Sequence, residues 1–178
     1  MREISEEELT AWGGGVNYVS HHAVKKDSQC TPLRVVVNSS LNNNNQGHSI
    51  NSILAKGPNS LASLFRVLMV FRTYSNIIVW DLKKAYNALH TGEVEMFYRL
   101  LVLRWGDVEA KWRTYGLTRV HYGDRPAAAI LEVAKELAAS LGEDTYPVAA
   151  KKSIEASYVD DCVTKTIRSL MYSCLETY

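Results

Sequence analysis

The chain has 178 residues, 47% of them hydrophobic and 22% charged, which fits one globular domain with a sizeable core. Its net charge of +1 gives no global attraction for a polyanion, so a nucleic-acid reading has to rest on local basic residues. The polar start, residues 1–8, lacks the apolar run of a signal peptide, and apolar stretches such as Leu100-Leu101-Val102-Leu103 are too short to span a bilayer. Cys30, Cys162 and Cys174 are odd in number and far apart, with no C-x-x-C pair. That pattern predicts neither a disulfide framework nor a zinc site, and points to a reducing, intracellular setting.

In chain order, Ser5 and Glu8 stand at capping-box spacing and predict a short helix from Glu6, broken by Gly13-Gly14-Gly15. Val35-Val36-Val37, led in by Thr31-Pro32, predicts a strand, and residues 42–47 an exposed polar loop. Gly57-Pro58-Asn59-Ser60 predicts a turn that caps an amphipathic helix over residues 61–71, with Leu61, Leu64, Phe65 and Leu68 on its apolar side. Ile77-Ile78-Val79-Trp80 predicts a buried strand ending at Asp81. Residues 99–105 and 114–122 predict a hairpin, although the first run also allows a helix. Asp124-Arg125-Pro126 opens the clearest helix, with Ile130, Val133, Ala134, Leu137 and Leu141 as apolar stripe, Glu132, Lys135 and Glu136 as wet face, and Gly142 as stop. Residues 154–166 read as strand, interrupted by Asp160-Asp161. Helices and strands mix without strict βαβ alternation, so the fold class expected is α+β.

Two features carry chemistry. Asp81 ends an apolar strand, and Asp160-Asp161 sits in a tight turn between strand-like flanks. Three carboxylates from neighbouring strands can hold two divalent cations, and hard oxygen ligands suit Mg²⁺. Taken alone, Asp160-Asp161 reads more readily as an ordinary hairpin turn than as a metal site. His21-His22 lacks a second ligand pair at helical spacing, and His90 and His121 read as packing or surface residues. Trp105 and Trp112, near Arg104 and Arg113, read either as a stacking surface for nucleic acid or as cross-strand packing.

The segment from Trp80 to Tyr86, WDLKKAY, resembles the first palm motif of reverse transcriptases, and Tyr158-Val159-Asp160-Asp161 resembles their YxDD box. Between them His121-Tyr122-Gly123-Asp124-Arg125-Pro126-Ala127 is similar to the GDRPAG-type segment of BEL/Pao retrotransposons. Upstream, His21-His22-Ala23-Val24-Lys25-Lys26, Leu33-Arg34-Val35-Val36 and Lys56-Gly57-Pro58-Asn59 resemble the same family in the same order. The resemblance covers residues 16–164. Asn38, Ala128 and Lys165 stand where the family has Asp, Gly and Gly, and residues 166–178 no longer resemble it.

The resemblance implies a right-hand polymerase palm with most of the fingers over residues 1–164, an antiparallel sheet packed on helices, no thumb, and an atypical tail over 165–178. It implies RNA-directed DNA polymerase chemistry, in which a primer 3′-hydroxyl attacks the α-phosphate of a dNTP. Asp81, Asp160 and Asp161 would be catalytic and hold two Mg²⁺ ions, a role Mn²⁺ can also fill. Leu82 would offer its carbonyl to the nucleotide metal, and Tyr86 would be the steric gate against a 2′-hydroxyl. By pattern alone, Tyr86 reads as readily as a core aromatic. Lys25 or Lys26, with Arg34, would grip the triphosphate, and Tyr122 and Gly123 would shape the nucleotide pocket. The expected partners are an RNA/DNA template-primer and dNTPs, with no membrane, in the cytoplasm or in virus-like particles of the element. A catalytically inactive truncated remnant that at most binds nucleic acid, and an unrelated α+β interaction protein, are the rival readings. The segments that position a primer in the resembled enzymes would follow residue 164, so little processive synthesis is expected of the chain alone.

Overall fold

The computed structural model describes residues 1–25, 27, 32–42, 47–104 and 108–165. The elements, in order, are β1 (Arg2–Ile4), α1 (Glu6–Trp12), β2 (Ser20–Lys25), β3 (Leu33–Asn38), α2 (Ile50–Ile53), α3 (Leu64–Arg72), β4 (Ile77–Asp81) and α4 (Ala85–Ala88). Then come α5 (Glu93–Phe97), β5 (Leu100–Leu103), β6 (Arg113–Gly116), α6 (Ala127–Gly142), α7 (Pro147–Glu155), β7 (Ser157–Tyr158) and β8 (Asp161–Lys165). The protein is a mixed α+β chain with small antiparallel sheets. Its described residues divide into two compact units, those within 1–56 and 86–127, and those within 57–85 and 128–165. Among the described residues no helix is long and apolar enough to cross a membrane.

In the first unit, α1 begins where the capping spacing predicts. The Ser5 side chain accepts from the Glu8 amide at 3.2 Å, and Gly13 ends the helix in the left-handed region at φ 61°. β5 forms a strand, not the alternative helix, and pairs with β6 from Leu100↔Gly116 to Leu103↔Arg113. The tip of that hairpin lies outside the described residues. β6 stops at Gly116, well short of the predicted strand over 114–122; beyond it Leu117 donates to the Arg99 carbonyl and Arg119 bridges to His90. β1 completes the sheet on the other edge of β6.

Ile4, Met96, Phe97 and Leu100 form one buried cluster, with Leu9 and Trp12 against it; Trp12 stacks on Phe97 at 4.3 Å between centroids. Gly116 permits this packing, since a Cβ there would lie 2.0 Å from Met96 Cγ. A second cluster joins Val19, Val37, Ile50 and Leu101, drawing the β2–β3 hairpin and α2 towards β5. Each such aliphatic or aromatic side chain contributes roughly 1.5–3 kcal/mol through burial.

The second unit holds a sheet of order β4-β8-β7, with β8 central and all pairings antiparallel. α3 lies against β7 and β8, and α7 against β7. Several expectations are corrected here. The helix expected over 61–71 starts three residues later, at Leu64, because Ser63 and not Ser60 caps it, accepting from the Arg66 amide. Its predicted stripe is turned outward: Phe65 is 73% exposed, Leu64 and Leu68 are also exposed, and Val67 is the buried position. β4 is half-buried rather than buried, with Val79 exposed. The segment 154–166, expected to be strand, begins as the end of α7 and becomes strand at Ser157; Thr166 lies outside the described residues.

α6 has its predicted extent but the opposite orientation. Val133, Leu137 and Leu141 are exposed, whereas Leu131, Glu132 and Lys135 are buried. Of the face read as wet, Glu132 and Lys135 therefore turn inward, where they pair with each other, whereas Glu136 is exposed as expected.

Candidate metal and nucleotide site

β4 carries Asp81 as its last residue, and β8 carries Asp161 as its first. The antiparallel register places Asp81 directly opposite Asp161, so the two Cβ atoms emerge on the same face of the sheet. Asp160 stands one residue earlier, in the turn. Its carbonyl accepts from the Leu82 amide at 3.0 Å, which ties the chain just past Asp81 to the turn. Asp81 and Asp161 are exposed and Asp160 is half-buried. The three carboxylates thus share one end of one sheet although they come from segments far apart in sequence.

The turn has an unusual backbone. Tyr158 pairs with Asp161, leaving Val159 and Asp160 as a two-residue hairpin loop. Val159 has φ 58°, a positive value of the kind that tight two-residue hairpin turns require at their first central position and that glycine normally supplies. For a β-branched residue this costs on the order of 1–2 kcal/mol. Lys84, in the turn after β4, has φ 57°, and Ala85 closes that turn by donating to the Leu82 carbonyl at 3.0 Å. The Leu82 carbonyl is thus engaged by the backbone.

Beneath the Val159 turn lies a buried polar group that sequence reasoning missed. Lys135 Nζ donates to Ser157 Oγ at 3.0 Å and to the Val159 carbonyl at 2.7 Å. Glu132 Oε1 is 2.7 Å from the same nitrogen, an ion pair without hydrogen-bond alignment. Cys162 is buried nearby, and burial pushes its thiol pKa up. A Glu and a Lys three apart on a helix ordinarily signal a solvated pair, so the sequence held no sign of this burial.

The first unit carries the other expected residues. Lys25 and Arg34 are both exposed on the β2–β3 hairpin. Lys25 pairs with Leu33 and Arg34 with Val24, so the alternation of the strand sends their side chains to opposite faces. Lys26 lies outside the described residues. Tyr86 is half-buried in α4. Tyr122 is exposed, its ring 4.3 Å from that of His121, and Gly123 donates its amide to His121 Nδ1 at 3.1 Å. A Cβ on Gly123 would meet His121 Nδ1 at 3.2 Å, so the glycine serves a close approach within the loop.

That loop is pinned by groups the sequence did not reveal. Asp124 is buried and takes Arg99 Nε and Ser39 Oγ, both at 2.6 Å. Asn51 donates to the Gly123 carbonyl at 2.9 Å and accepts from the Arg125 amide at 2.8 Å. Burial holds the His121 pKa below its ordinary value, with Arg99 adding to the shift and Asp124 opposing it. Arg104 lies over the Trp112 ring at 4.7 Å, while Trp105 is outside the described residues. No family model matches the chain, and no curated protein matches it significantly.

The donor chemistry of Asp81, Asp160 and Asp161 fits Mg²⁺, since all three are hard carboxylate donors at a solvent-accessible sheet end. Among the described residues, however, no three His, Cys, Asp or Glu side chains converge closely enough to form a ready metal site. Backbone placement and side-chain convergence are thus separate facts about this site.

Proposed function

We propose that the chain is the palm and much of the fingers of an RNA-directed DNA polymerase of the BEL/Pao retrotransposon type. The observation that carries the reading is the β4–β8 register, which sets Asp81 opposite Asp161 and ties Leu82 to Asp160. An unrelated fold has no reason to bring two motifs with polymerase-like sequence to the same end of one sheet. Asp81, Asp160 and Asp161 would hold two Mg²⁺ ions, which when bound supply charge neutralisation at the reacting phosphate. In this reading Tyr86 excludes the ribose 2′-hydroxyl, Arg34 engages the triphosphate without Lys25, which leaves the other face of the hairpin, and Tyr122 with Gly123 shapes the base and sugar pocket.

The lack of a converged carboxylate trio among the described residues favours a second reading, a catalytically inactive relative that at most binds nucleic acid. Mn²⁺ titration followed by electron paramagnetic resonance tests the proposal. Wild-type protein should bind Mn²⁺, and Asp81→Asn or Asp160→Asn should each weaken binding at least tenfold. Mn²⁺ binding that neither substitution alters would overturn the polymerase reading. Salt-sensitive binding of a primed RNA template without carboxylate-dependent Mn²⁺ binding would support the inactive relative.

A further inference from the structure

We propose that Lys135 is a positioning residue for the turn that bears Asp160 and Asp161, an inference that rests on the metal-binding reading of those carboxylates. Lys135 lies on α6 and its side chain is 7% exposed. A buried ammonium has to be offset by partners, and lysine is rarely found in such a place without them. Each of its three close oxygens comes from a different part of the unit: Glu132 on α6 itself, Ser157 on β7, and the carbonyl of Val159 in the turn.

The Val159 carbonyl is the informative partner. It belongs to the peptide plane that joins Val159 to Asp160, and Val159 is the residue held at φ 58°. A β-branched residue prefers to leave that region, and a two-residue loop with valine in the glycine position is prone to relax. The 2.7 Å hydrogen bond from Lys135 fixes the plane against that relaxation. The next carbonyl, that of Asp160, is fixed from the other side by the Leu82 amide. Both peptide carbonyls of the turn are therefore held, one by the helix and one by the segment following Asp81. Together they set where the Asp160 and Asp161 side chains start relative to Asp81. Glu132 completes the device by compensating the charge, leaving Lys135's protons free for Ser157 and Val159.

Removing Lys135 alone would strand the Glu132 carboxylate, so the test is the double variant Glu132→Gln/Lys135→Met, which leaves neither charge buried. Thermal unfolding establishes that it folds. The measurements are Mn²⁺ affinity by electron paramagnetic resonance and the backbone ¹⁵N and ¹³C shifts of Val159 and Asp160. The folded double variant should bind Mn²⁺ at least tenfold more weakly, with both residues' shifts moved away from their wild-type values. Unchanged shifts together with unchanged Mn²⁺ affinity would overturn the proposal. If the wild-type chain shows no Mn²⁺ binding that Asp160→Asn removes, the metal reading fails on its own. The shifts then decide the Lys135 clamp: displaced shifts support it and undisplaced ones refute it. A measurement on the wild type needs no variant, since a clamped ammonium gives a slowly exchanging Lys135 ¹⁵Nζ signal at neutral pH. Absence of that signal would also overturn the clamp.

Discussion

The two units are built on different principles. The first encloses two apolar clusters, and its buried Arg99–Asp124 pair supports a loop alongside them. In the second, a Lys–Glu pair is buried at the sheet while the apolar residues of α3 and α6 that follow helical spacing face outward. Apolar clusters are non-directional and tolerate change if volume is kept. A buried ion pair is directional, contributes little net stability, and punishes the loss of either member. The first unit thus sets its buried ion pair beside two apolar clusters, and the second sets its own beneath a strained turn.

The contrast can be broken by substitution. The largest effect should come from Lys135→Met, which leaves Glu132 as an uncompensated buried charge and should cost about 3–5 kcal/mol in urea unfolding. A loss below about 1 kcal/mol would mean that the pair is solvated and that the units do not differ in this way. Next is Leu100→Ala in the first unit, where a fully buried side chain is truncated; about 2–5 kcal/mol is expected in the same experiment. Val159→Gly should act in the other direction. Relieving the left-handed valine should raise stability by about 1 kcal/mol, partly offset by the greater unfolded-state entropy of glycine, and destabilisation would show that the turn is not strained. The smallest effect is expected for Leu137→Ala, on the exposed stripe of α6, where the change should stay within about 0.5 kcal/mol. A loss of several kcal/mol there would show that the stripe is covered in solution.

The sequence made the local features legible. Ser5 with Glu8, the Val35–Val37 run and the extent of α6 all depend on residues close along the chain, and each element stands where its pattern predicts. The antiparallel neighbourhood of Asp81 and Asp161 was legible only through family resemblance, since nothing in either segment specifies the other. The orientations of α3 and α6 were misread for a definite reason. Periodicity shows which residues share a helix face, but which face turns inward depends on what the rest of the unit offers. On α6, Leu131 and Lys135 share the inward face, and the partners that make it tenable, Ser157 and the Val159 carbonyl, lie on another element. β1 was invisible because Arg2, Glu3 and Ile4 become a strand only through pairing with β6.

The strand order β4-β8-β7 also has a consequence in time. β8, the central strand, is the last of the three to be synthesised, so β4 has no strand partner until β8 begins at Asp161. At ordinary translation rates of about 5–20 residues per second, that interval lasts roughly 4–17 s. Until β8 arrives, β4 offers an unpaired edge of the kind that pairs with other chains. Within the β4–β8 ladder, the end that gathers Asp81, Asp160 and Asp161 is the first that synthesis makes available, since Asp161 precedes Lys165.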